Sequence, residues 1–84
     1  MADPRLKPVE AALAARDAKR AHEALDVAVK AGARPPPLVF ANVAGALLGQ
    51  GALTLAEGWA RRGLDLHPRS AELWRRLACA LMTL

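Results

Sequence analysis

The chain has 84 residues and a net charge of +4, enough for one small domain whose core is marginal in size. Alanine (20) and leucine (14) dominate, isoleucine and tyrosine are absent, and valine (5) and threonine (2) are scarce, so an all-β or doubly wound sheet fold is excluded and an all-α fold expected. One cysteine excludes a disulfide framework, and with two isolated histidines it argues against a structural zinc site.

The N-terminus, Met1-Ala2-Asp3-Pro4-Arg5, has an acid and a proline where a signal peptide needs a basic start and an apolar run. A cytoplasmic setting is therefore the expectation, with Cys79 a free thiol. Pro8 suits a helix start, where its missing N–H is not needed. Val9, Leu13, Ala21, Leu25, Ala28 and Val29 then recur at helical period, and Gly32 stops the pattern after Lys30. Residues 8–33 form either one long helix or a hairpin broken near Arg16-Asp17. The hairpin is slightly favoured, with Asp17 capping its second helix.

Pro35-Pro36-Pro37 divides this first third from the rest. The stretch from Pro35 to Ala56 is uncharged, but its prolines and the central Gly49-Gln50-Gly51 turn suit a buried helical hairpin rather than a membrane span. Its helices are expected from about Pro37 to Leu48 and from about Ala52 to Leu66. Thr54 and Glu57 have capping-box spacing, which would start the second helix a few residues late. Ser70 is a good N-cap for a last helix running to Leu84, with Glu72 in its first turn.

A shift of 34 residues superposes Phe40, Val43, Ala44 and Leu47 on Trp74, Leu77, Ala78 and Leu81. Small residues Ala56, Ala60 and Gly63 lie between at helical spacing, followed by Pro68, with Gly51 five residues before Ala56. In these residues the chain resembles the tetratricopeptide repeat, a 34-residue helix–turn–helix unit. It departs from the pattern at Ala60, where a large aromatic is usual, and Trp59 is the candidate to fill that volume. The resemblance implies an all-α stack of antiparallel helical hairpins of about two and a half repeats. It forms a single domain over residues 1–84, with a degenerate first hairpin or long helix at 8–33, a second repeat at 37–68 and a half repeat at 70–84.

The family lines a concave groove with the first helix of each unit. Carried onto this chain, the groove presents Leu38, Ala41, Asn42, Gly45 and Leu48, then Glu72, Arg75, Cys79 and Met82. It is mostly apolar and suits an amphipathic helix. Only Asn42 and Arg75, with Arg76 beside them, resemble residues that grip acidic peptide termini. In the last helix Leu73, Trp74, Leu77, Ala80, Leu81 and Leu84 are expected against the preceding hairpin, leaving Cys79 and Met82 uncovered. An uncovered apolar patch marks an interface. The expected function is protein binding, as an interaction module or chaperone for a helical partner, with self-association as a further possibility. In size and groove character the chain is similar to the chaperones of type III secretion needle subunits.

The alternative is a DNA-binding helix-turn-helix over Thr54 to Arg76, with Ser70, Arg75 and Arg76 facing the duplex. Against it, the connection from Leu64 to Arg69 looks long for that motif, and the last helix turns wholly apolar after Arg76. The basic balance, concentrated only in Arg61-Arg62 and Arg75-Arg76, reads as solvated surface, so nucleic acid is not the expected partner. His22, His67 and Cys79 read as structural. No phosphate-cradling glycine loop, catalytic carboxylate pair or nucleophile–base set is present, so neither enzymatic activity nor a cofactor is expected.

Overall fold

The computed structural model describes residues 4–83. Met1, Ala2 and Asp3 of the expected acid–proline start lie outside this range, as does Leu84. A 3₁₀ turn at Pro4–Leu6 leads into five α-helices: α1 (Lys7–Ala14), α2 (Ala18–Lys30), α3 (Pro37–Gly49), α4 (Leu53–Leu66) and α5 (Ala71–Thr83). No strand occurs among the described residues. The radius of gyration is 11.5 Å, against about 12 Å for a compact chain of this length.

The first third is a hairpin, and the break falls at Arg16-Asp17. Asp17 Oδ1 accepts from the Arg20 backbone N–H at 3.1 Å and so caps α2. α1 ends in a Schellman motif, in which the Asp17 N–H bonds the Ala12 carbonyl at 2.9 Å and the Arg16 N–H bonds that of Leu13 at 3.0 Å. α3 ends the same way, with the Ala52 N–H on Leu47 at 2.9 Å and the Gly51 N–H on Leu48 at 3.1 Å. α2 repeats it at Gly32 and Ala33. The motif needs a left-handed residue just past the helix, which is Arg16 (φ 57°), Gly51 (φ 76°) and Gly32 (φ 93°) in turn. Aligned by these turns, the sequences of the first two hairpins come into register with a shift of 35 residues. Ala21, Leu25 and Ala28 then stand where Ala56, Ala60 and Gly63 stand later, and all six are buried.

The remaining helix ends correct one expectation. α4 starts at Leu53 with no side-chain cap, so Thr54 and Glu57 form no capping box. Glu57 instead pairs with Arg61 one turn on, at 3.0 Å. Ser70 does cap α5, accepting from the Leu73 N–H at 3.3 Å.

Neighbouring helices pack in chain order, and alternate helices α1, α3 and α5 also lie side by side. The core runs continuously through both hairpins, with Phe40, Leu25, Leu73, Val9 and Val43 as its largest fully buried side chains. Each such side chain contributes roughly 1.5–3 kcal/mol relative to exposure. Trp59 is 2% exposed and its ring lies 6.1 Å from that of Phe40, so it supplies the aromatic volume that Ala60 lacks. Gly63 is the point of closest approach: a Cβ there would lie 2.8 Å from Phe40 Cβ and 2.9 Å from the Leu73 methyls.

α5 packs through Leu73, Leu77 and Ala80, which are buried as expected. Trp74 and Leu81 are not: they are 54% and 47% exposed, and Ala78 is exposed with them. Their counterparts Phe40, Ala44 and Leu47 are buried. The physical reason is coverage. α4 lies on that face of α3, whereas no element of the described residues follows α5 to lie on the corresponding face.

Candidate functional site

The side formed by α1, α3 and α5 carries the residues assigned to the groove. Leu38 is 62% exposed at the start of α3 and Met82 is 88% exposed near the end of α5. Asn42, Arg75 and Cys79 are exposed, while Leu48 and Glu72 are half-buried. Ala41 does not belong with them. It has no exposed surface and packs among the buried core residues. Gly45 is half-buried beneath the Arg76 guanidinium, and a Cβ there would meet Arg76 Cζ at 3.2 Å. The missing side chain at Gly45 lets Arg76 lie flat between α3 and α5. Arg76, only a companion of the predicted set, is thus the residue that bridges the two helices.

The two arginines of α5 on this side share one carboxylate. Glu72 pairs with Arg75 at 3.5 Å and with Arg76 at 3.4 Å. The second basic cluster is also paired, Arg61 with Glu57 at 3.0 Å and Arg62 with Asp26 at 3.5 Å. Both arginine pairs therefore face carboxylates of this chain. The α4–α5 connection is the four residues 67–70, because α4 continues through Leu66, so the connection is shorter than its sequence suggested. Length alone does not oppose a helix-turn-helix. Glu72 stands in the first turn of α5, where such a motif contacts the duplex.

The outer face of α5 carries further exposed apolar side chains. Trp74, Ala78 and Leu81 share one helix face by their i, i+4, i+7 spacing, and Met82 adjoins it. Trp74 is fixed there, its indole N–H donating to the Pro68 carbonyl at 2.9 Å. Cys79 is an exposed free thiol. A cleft of about 750 Å³ opens between Leu13 and Arg16 of the first hairpin and Asn42, Ala46 and Gly49 of α3.

The histidines occupy packed, hydrogen-bonded positions. His67 Nε2 lies 2.8 Å from the Pro35 carbonyl, tying the α4–α5 connection to the proline segment before α3. His22 Nδ1 accepts from the Trp59 indole N–H at 2.7 Å, with the rings edge to face at 5.8 Å. The Arg62 guanidinium covers the Trp59 ring at 4.8 Å. Asp26 is held below the usual carboxylate range, first by its hydrogen bond from Lys30 and further by Arg62, against partial desolvation. Among the described residues no three His, Cys, Asp or Glu side chains gather as a metal-binding group, and no helix is long and apolar enough to cross a membrane.

The described residues form a small all-α protein of five compactly packed helices. Comparison with known proteins adds no relative: no family model, no curated protein and no solved structure matches the chain.

Proposed function

We propose that this protein is a protein-interaction module, built as a short tetratricopeptide-like stack, that holds an amphipathic helix of a partner against its groove and last helix. One observation carries the reading. Trp74 and Leu81 of α5 are exposed where their counterparts Phe40 and Leu47 on α3 are buried beneath α4. A helix seated on α5 would restore the coverage that α3 enjoys, and exposed apolar patches of this kind mark interaction sites. Met82 is flexible and adapts to the shape of what it covers. A chaperone for an aggregation-prone helical subunit, such as those of secretion needles, is the most concrete form of this activity. Pairing of Arg75 and Arg76 with Glu72 weighs against duplex DNA as the ligand.

The test is co-purification of the native complex, with mass identification, from cells producing the wild-type chain, Leu48→Asp or Met82→Asp. Both variants are expected to keep their helicity and lose the partner. Normal capture by both would remove the groove assignment. A wild-type chain that is a stable micromolar monomer, and binds no apolar dye, would remove the interaction reading itself. A steep salt-dependent shift of duplex DNA would favour the nucleic-acid alternative.

A further inference from the structure

α2 and α4 are joined by side chains alone. No Cα of α2 lies within 8 Å of a Cα of α4. Two pairs span the gap: the Trp59 indole N–H donates to His22 Nδ1 at 2.7 Å, and Arg62 Nη1 reaches Asp26 Oδ1 at 3.5 Å. A ring nitrogen accepts a hydrogen bond only when it carries no proton. The first link therefore requires neutral His22 with its hydrogen on Nε2.

We propose that His22 is a proton-operated latch between α2 and α4, closed when neutral and open when protonated, while the packing of α1 and α2 on α3 keeps the two hairpins together. Protonation turns Nδ1 into a donor aimed at another donor, so the hydrogen bond is lost. Trp59 is 2% exposed, and its N–H loses its side-chain acceptor. The imidazolium has an alternative partner on its own helix. Asp26 lies one turn further along α2, on the same face. Its carboxylate already serves Lys30 at 3.0 Å and Arg62 at 3.5 Å. A protonated His22 that turns to Asp26 competes with Arg62, so a single proton weakens both cross-links.

The charged groups around His22 come from two helices. Asp26 shares one side of the ring's cleft with Arg62 of α4, and Lys19 and Glu23 flank the other side. α3 presents only Leu47 there, followed by the uncharged Gln50. Lys19 and Arg62 oppose the imidazolium, whereas Glu23 and Asp26 favour it. His67 behaves differently by construction. Its Nε2 faces a carbonyl, so it donates there, and that bond survives protonation.

The experiment follows the two indole N–H resonances of the full chain by NMR between pH 8 and pH 5, the range in which imidazole changes charge. Trp59 is expected to shift and to exchange faster with solvent on the acid side. Trp74, bonded to a backbone carbonyl, is the internal control and is expected to stay unchanged. Urea unfolding of the same chain is expected to show a lower folding equilibrium constant at pH 5.5 than at pH 7.5. His22→Gln keeps an acceptor without a titrating proton, and is expected to abolish most of that fall. A Trp59 resonance that does not move in the wild-type chain would overturn the latch, as would an equal fall in wild type and His22→Gln.

Discussion

Arg16 and Gly51 occupy the same position in two superposable turns, each holding a left-handed backbone conformation just past the end of a helix (φ 57° and 76°). Glycine adopts this conformation without steric cost, whereas a residue with a Cβ is strained there by roughly 1–2 kcal/mol. Arg16→Gly is therefore expected to stabilise the protein, by about 0.5–1 kcal/mol once the added freedom of the unfolded chain is counted. Gly51→Ala is expected to destabilise it by a similar amount. Urea midpoints of the two variants against wild type check both signs.

Two glycines of α4 should respond oppositely to alanine. Gly63→Ala places a methyl 2.8 Å from Phe40 Cβ and 2.9 Å from the Leu73 methyls, and overpacking of this kind costs about 1–3 kcal/mol. Gly58 is exposed, and a Cβ there would meet nothing packed against it within 4 Å. Gly58→Ala should gain the difference in helix propensity, about 1 kcal/mol. Thermal unfolding is expected to place the two variants on opposite sides of the wild-type midpoint.

Asp17 and Ser70 each bond a backbone N–H in the first turn of the helix they precede. Asp17→Ala and Ser70→Ala are each expected to cost about 1 kcal/mol. The α4 start offers a contrast, since Thr54 makes no cap bond there and Thr54→Ala is expected to leave the denaturation midpoint nearly unchanged.

The depressed pKa of Asp26 fixes the sign of one acid effect. Its folded-state value lies below the unfolded one, first because of the hydrogen bond from Lys30. The stability it contributes is present above about pH 4 and lost as pH falls through the folded-state value. Asp26→Asn is expected to flatten the acid limb of a stability–pH curve measured by urea unfolding from pH 5 to pH 2.

The helices were legible in the sequence because their punctuation is chemical. Asp17, Gly32, Gly51 and Ser70 mark ends that the structure reproduces. The first hairpin was harder to align with the second because two of its key residues are atypical for their roles. Arg16 holds a glycine position, and Leu25 stands where Ala60 stands later. Its register also differs, 35 residues instead of 34. The surface was misread at α5 for a different reason. Trp74 and Leu81 carry the same local pattern as Phe40 and Leu47, and pattern alone does not reveal whether another helix lies on top. Ala41 was misplaced by carrying over a groove position whose side chain here points into the core. The Trp59–His22 pair, 37 residues apart, had no motif to announce it.

Among the described residues, each helix or helical turn packs only against its neighbours or next neighbours along the chain. Loop closure therefore demands little entropy before each contact forms. Proteins with such low contact order fold in microseconds to milliseconds. The protein is thus expected to fold progressively, one hairpin serving as the template for the next, with no slow search for distant partners.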